Sequence, residues 1–299
     1  MRKQKSSGMF FVLAIAVVVI VSVSFIIPSA IAKNNAENTF NEDYSTVPSN
    51  AEETTPTEPT TESIPPYTMV DYHGNEPTSA KQIVADFARV NGLSMSLWPD
   101  ELIEHLETHP EAREFVLCYP FKKDLTPEID LSQYAHTDSV PLFMQWDERW
   151  GYASYGDDLL AVSGCGPTCL SMVSVHLLGD TSLDPKTVAE FSEQNGYCVP
   201  GNGSAWALIS EGGPALGLYV EELPLDENYV VQNLKEGNPV ICIMGPGDFT
   251  QGGHFIVMTD YIDGQIKIND PNSVINSEKL WNHEDIESQI DNLWACSVW

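Results

Sequence analysis

The sequence predicts an α+β fold, and three observations predict it. Cys165, flanked by Gly164 and Gly166, opens a run to Gly179 that is apolar almost all round, as a helix buried in a core must be. Helical spacing of apolar residues precedes and follows that run. Beyond Pro239 the pattern changes to short apolar or alternating segments set off by turn residues, the mark of antiparallel strands. Helices first and strands after give a cysteine-bearing helix packed on an antiparallel sheet, preceded by a small helical accessory region.

Taken in order, Arg2, Lys3 and Lys5 precede an uncharged run of about 18 residues, Phe10 to Ile27, and then Ala30-Ile31-Ala32. Basic start, apolar middle and small-x-small exit spell an export signal cut after Ala32. The same run is near the lower limit for a membrane anchor. Residues 1–32 are therefore expected to be a signal peptide or membrane anchor. The remainder is expected outside the cell, secreted or tethered to the outer face of the membrane. Residues 33–68, rich in Thr, Pro and Glu, have little to bury and read as a disordered acidic linker.

Residues 69–139 read as a small helical region, accessory or propeptide-like, with an interaction module of its own as the other reading. Helices are expected over Ser79 to Val90, Pro99 to Glu107 and Glu111 to Tyr119, with Pro120, Pro127 and Pro141 breaking the order. His105 and His109 share a helix face at metal-binding spacing, but no third ligand is near, so they read as surface residues.

Residues 140–299 carry the longer elements. Val140 to Trp146 is an extended lead-in. Pro167 suits the first turn of the Cys165 helix and Gly179 its left-handed end. Asp184 caps a helix to Asn195, with Pro185 at its first position. Gly201 to Ser204 turns into a helix over Ala205 to Leu216, and another covers Tyr229 to Glu236. Strands follow over Pro239 to Met244, Gly253 to Thr259, Gln265 to Asp270 and Trp294 to Val298, the middle two joined by an Asp263-Gly264 hairpin turn.

The net charge of −29 argues against nucleic acid and anionic lipid as direct partners, because both are polyanions. The six cysteines are too sparse for a disulfide scaffold. Cys165 and Cys169 are four apart, half of a zinc site whose matching Cys or His pair is missing, so no structural metal is expected, and no cofactor is expected either.

Cys165 faces the free N–H groups and positive end of its helix, which favours the thiolate. Thiol chemistry also needs a base and a group to orient it. His254 heads one strand and Asp270 ends the next. Their registers about the hairpin turn differ by a few residues, which a bulge or loop can absorb. Asp270 shares a strand face with Ile266 and Ile268, and Asn269 points the other way. An oxyanion would need two donors: the Cys165 N–H and a side-chain amide, Gln145 first and Gln251 second.

Five blocks then fall in order: Val140 to Trp150, Gly164 to Thr168, Met244 to Thr250, Gly253 to Val257 and Asn269 to Ser273. Together they resemble the C39-like cysteine peptidases, a papain-like family related to the bacteriocin-leader peptidases that cut after double-glycine motifs. The resemblance covers about residues 140–299. It implies a papain-like fold and hydrolysis of a peptide or protein substrate. It also implies Cys165 as nucleophile, His254 as base, Asp270 as its orienter and Gln145 as oxyanion donor. A Trp- and Gly-rich insertion separates Gln145 from Cys165, where many relatives hold the two much closer. Two other readings stay open: a cell-wall peptide amidase or endopeptidase of similar fold, and a non-catalytic binding module that keeps the fold.

Overall fold

The computed structural model describes residues 64–75 and 77–299. The expected signal or anchor at 1–32, and the acidic linker up to residue 63, lie outside the described residues. Helix α1 spans Ala80–Val90, α2 Asp100–Thr108 and α3 Arg113–Lys122. Asp100 and Glu101 occupy the first turn of α2, where acidic side chains favour the helix dipole.

Pro120 corrects one expectation. It lies inside α3 and does not end it. Proline gives no N–H to the carbonyl four residues back, here Val116, and that lost bond is why it usually breaks helices. The indole N–H of buried Trp98 donates to Val116 O at 2.8 Å and replaces it. Trp98→Phe is therefore expected to cost about 1–3 kcal/mol, the penalty for an unpaired buried acceptor. Chemical denaturation measures it, and an unchanged midpoint would show that the carbonyl does not depend on the indole.

The three helices close a core of Val84, Phe87, Trp98, Leu102, Phe115 and Val116, and that core continues into Tyr152 and Ala161. Tyr152 Oη donates to Phe115 O at 2.8 Å. The helical region is thus packed on the described residues that follow it, within one compact unit. His105 is buried against this core, not on the surface as the sequence suggests. Burial drives its pKa down to about 3, so the ring is neutral.

Strands β1 (Ser154–Tyr155) and β2 (Asp158–Leu159) form a short hairpin, and α4 (Leu160–Ser163) leads into α5 (Cys165–Leu178). Every residue of α5 from Gly166 to Val175 is buried, and Gly179 ends it at φ 66°. Helix α6 (Pro185–Gln194) packs beside it, with Asp184 accepting from the N–H groups of Lys186 and Thr187. A second hairpin joins β3 (Cys198–Val199) to β4 (Gly203–Ser204). The regular helix expected over Ala205–Leu216 is instead a π-helical turn, Leu208–Gly212, running into α7 (Gly213–Ala215). Pro214 has no N–H to give a regular ladder. A side chain on Gly213 would come within 2.8 Å of Val220.

The rest comprises β5 (Tyr219–Glu222), α8 (Glu227–Lys235), β6 (Val240–Met244), β7 (His254–Ile262), β8 (Gln265–Asn269), α9 (Val274–Glu278), β9 (Leu280–Trp281), α10 (His283–Ile286) and β10 (Ile290–Ser297). Six of these strands make one antiparallel sheet in the order β5-β10-β6-β7-β8-β9. The last strand in sequence therefore lies inside the sheet, between β5 and β6. Strand β6 is buried at every position, as its continuous apolar run requires. Ile241, Ile243, Phe255 and Val257 join the core of α5, while Cys242, Met244, Ile256 and Met258 join Val230 and Leu234 of α8 on the other face. The β7–β8 hairpin turns at Asp263 and Gly264, with φ of 51° and 91°, which is the left-handed pair that a two-residue hairpin wants.

Candidate active site

The glycines beside Cys165 are required by close packing, not by unusual dihedrals. A Cβ on Gly166 would fall 2.6 Å from Ser204 Oγ, and one on Gly164 would run into the Leu160 carbonyl oxygen. The β4 segment and α4 therefore crowd the mouth of α5. Cys165 is the first residue of that helix and keeps part of its surface open.

His254 is the first residue of β7, which packs against α5. Its Nε2 lies 2.7 Å from Asp270 Oδ1, with both side chains buried. The imidazole has two nitrogens, so Nδ1 is left for the hydrogen bond with Cys165. The register that permits this comes from a bulge. Ile262 pairs with Gln265, but Thr259 is an extra residue between Met258 and Asp260, after which Val257 pairs with Asn269. The shift moves Asp270 one position nearer to His254.

Asp270 is held by its own loop. The Asn272 N–H donates to Oδ1 at 2.9 Å and the Asn276 amide to Oδ2 at 2.9 Å. The Asp270 N–H donates to Ser277 Oγ at 2.9 Å. Asn269 points the opposite way and donates to the carbonyls of Val140 and Pro141, at 3.1 Å each. It fastens the lead-in segment and stays out of the site.

The electrostatics follow from these contacts. Burial alone would push the Cys165 thiol up, but the hydrogen bond and positive charge of His254, with N–H groups of Phe255 and Gly166, bring it below the ordinary thiol value. Burial alone would hold His254 neutral, but the Asp270 charge and hydrogen bond, with Cys165, raise it to about 10. Burial disfavours the Asp270 carboxylate too, yet His254 and the loop donors carry its pKa below the usual value. The favoured state is a thiolate–imidazolium pair backed by a carboxylate. Each of the other five cysteines has its thiol pushed up, first by burial.

Gln145 is buried, and its backbone N–H donates to Pro271 O at 2.7 Å. Its amide nitrogen donates to Ala161 O at 2.7 Å and to Val162 O at 3.3 Å, in the turn leading to Cys165. Gln145 thus ties the Asp270 loop to α4, and both amide hydrogens point at backbone carbonyls. Its Oε1 has no partner. The reverse amide orientation would set an oxygen against two carbonyls, so this one is the consistent assignment. Gln251 sits exposed on the loop before β7.

The sequence reading missed Asn272, Asn276 and Ser277, which secure Asp270, and His109, whose Nε2 reaches Asn272. One signal was present. Asp-Pro-Asn-Ser is turn chemistry in which an aspartate side chain accepts from the backbone two residues on.

The Peptidase_C39 like family matches residues 137–296. The chain belongs to the Peptidase_C39 like family. This C39-like assignment agrees with the mixed helix and antiparallel sheet described above. It supports a peptidase function and a peptide or protein substrate. Among solved structures, the chain is similar to the peptidase domain of Streptococcus ComA, a bi-functional ABC transporter of a quorum-sensing pathway, at 20% identity and a TM-score of 0.36, over 46% of this chain and 93% of that one. It is also similar to a Bacillus anthracis protein described as a C39-like peptidase, at 16% identity and a TM-score of 0.38, over 58% of this chain and 98% of that one. No curated protein matches the chain.

Proposed function

We propose that this C39-like protein is an exported thiol peptidase working through Cys165, His254 and Asp270. The observation that carries the proposal is the His254 ring, held by Asp270 at 2.7 Å on one nitrogen and hydrogen-bonded to Cys165 on the other. The Cys165 thiolate attacks the scissile carbonyl. The imidazolium gives its proton to the leaving amine, and an acyl-enzyme forms. Neutral His254 then takes a proton from water, which attacks the thioester and frees the thiol. The tetrahedral oxyanion is met by the Cys165 N–H and by the Gln145 amide hydrogen now in the longer bond to Val162 O.

The proposed organisation has a C39-like domain over residues 140–299 and a helical region before it. Export is proposed from the sequence of residues 1–32 and places the domain outside the cell, secreted or tethered by that segment.

The test needs no known substrate. The full chain is treated with substoichiometric iodoacetamide at about pH 6, where an ordinary thiol is almost wholly protonated. Mapping the alkylated sites should find Cys165 ahead of the other five cysteines. Equal labelling, or labelling of half-buried Cys198 first, would end the proposal. A peptide-library digest with the same protein then reads the cleavage preference, and a turbidity assay on peptidoglycan tests the wall-directed alternative.

A further inference from the structure

Two side chains of the helical region reach the loop that carries Asp270, and the mechanism above uses neither. His109 follows α2. Its Nε2 is 2.8 Å from Asn272 Nδ2, and its ring stacks on His105 at 4.6 Å between centroids. Its Nδ1 lies 2.9 Å from Thr108 Oγ1. Glu111 spreads its carboxylate over the start of α9. Its Oε2 accepts from the Val274 N–H at 2.6 Å and its Oε1 from Ser273 Oγ at 2.9 Å, with the Ile275 N–H at 3.3 Å from Oε2.

We infer that the helical region is a fixed part of the catalytic apparatus, in which His109 and Glu111 are positioning residues that hold the 270–277 loop and so aim the Asp270 carboxylate at His254. The inference rests on the thiol-peptidase reading of the site and goes beyond it. Sequence alone left this region as a propeptide-like or accessory segment that covers or supports the catalytic domain, or as an interaction module of its own.

The chain of contacts is short. Asp270 takes one hydrogen bond from the Asn272 backbone and one from the Asn276 side chain. The Asn272 side chain ends on His109, and the turn between the two asparagines ends on Glu111. The loop orients the carboxylate, and the helical region orients the loop. The chemistry at His109 is consistent with this. Thr108 Oγ1 donates to the carbonyls of Glu104 and His105, so the consistent assignment puts the hydrogen on His109 Nδ1 and leaves Nε2 of a neutral ring to accept from the Asn272 amide. Burial, then the positive charge of His254, holds His109 below its ordinary pKa and keeps it neutral.

The same region also touches the other side of the site. Ala161 belongs to its core and Val162 packs against it, and these two residues hold the Gln145 amide. One small body therefore braces both α4, which leads to the nucleophile, and the loop that presents the carboxylate. A detachable inhibitor would be expected over the sulfur. The described contacts instead fall on the Asp270 loop and on α4.

The test compares the full chain with His109→Ala, His109→Gln, Glu111→Ala and Glu111→Gln. Three readouts are taken: turnover of a peptide from the library digest, the pH profile of Cys165 alkylation by iodoacetamide, and the thermal midpoint. His109→Ala and Glu111→Ala are each expected to lower kcat roughly 10- to 100-fold, the scale of a misplaced catalytic group. KM should stay unchanged, and the rise of Cys165 alkylation with pH should move to higher pH, because a less firmly held imidazolium stabilises the thiolate less. His109→Gln, whose side-chain oxygen can accept from Asn272, should recover most of the loss, and Glu111→Gln should fall between. A rate loss that only follows the folded fraction, with the Cys165 profile unmoved, overturns the inference. So does an unchanged or raised rate, which would make the region a bystander or a brake. A wild-type Cys165 no faster than the other thiols would instead overturn the peptidase reading itself, and this inference with it.

Discussion

Cys165→Ala is expected to abolish hydrolysis, lowering turnover by roughly six orders of magnitude, the scale reached when a nucleophile is taken from a catalytic triad. Cys169→Ala is expected to leave the chemistry in place. The contrast is informative because the two thiols lie one helical turn apart with opposite surroundings. Cys165 sits at the mouth of α5 against His254, and its pKa is lowered. Cys169 is fully enclosed, and burial, with the nearby Cys165, raises its pKa well above the ordinary value. The first supplies a thiolate far more readily than the second. Hydrolysis per folded molecule of a library-derived peptide measures the effect. Persistent turnover in Cys165→Ala would remove the sulfur from the mechanism.

The second large effect belongs to Asp270. Asp270→Ala is expected to lower kcat by roughly 10²–10⁴-fold and to change the pH profile in a stated direction. Burial opposes a charged His254, and Asp270 is the main group that overcomes it, raising the ring to about 10. The thiolate–imidazolium pair therefore persists until pH rises through about 10, and activity should fall there. Without the carboxylate the opposing burial remains and only Cys165 still favours the charged ring, so the alkaline limb should move down. Asp270→Asn keeps an acceptor for the Nε2–H but loses the charge, so it should lie between wild type and alanine in both rate and limb.

Stability follows the same signs. The raised His254 contributes stability that is complete below its unfolded pKa and is lost as pH rises through about 10. The lowered Asp270 contributes stability that is present above its unfolded pKa and is lost as pH falls through its folded value. Rate and unfolding profiles recorded from acid to alkaline pH on both variants check these signs. An alkaline limb that stays put in Asp270→Ala would show that the carboxylate does not hold the imidazolium.

Both effects depend on groups that were legible in the sequence to different degrees. The α5 helix was legible because its signals are local: glycines at the crowded mouth, proline in the first turn, an apolar surface and Gly179 at the end. The β7–β8 hairpin was legible because Asp263-Gly264 permits few other turns. Pro120 misled because its rescue comes from Trp98, an indole on a neighbouring segment that no local pattern records. His105 and His109 misled in the same way. Polar side chains on a short helix usually face water, yet here one ring is sealed in a core and the other meets a loop more than a hundred and sixty positions later in the chain.

The sequence by itself determined the helix that carries Cys165, the strand that His254 heads, the strand that leads into Asp270, and which chemical groups were on offer. Those depend on dihedral preferences, apolar periodicity and turn chemistry, all of which act over a few neighbouring residues. Only the tertiary structure decided that a bulge at Thr259 brings the carboxylate within reach of the imidazole, that the carbonyls of Ala161 and Val162 orient the Gln145 amide, and that His109 and Glu111 brace the loop. Those are contacts between segments far apart in the chain. Their geometry is set by how the cores close on one another, which no single stretch of residues encodes.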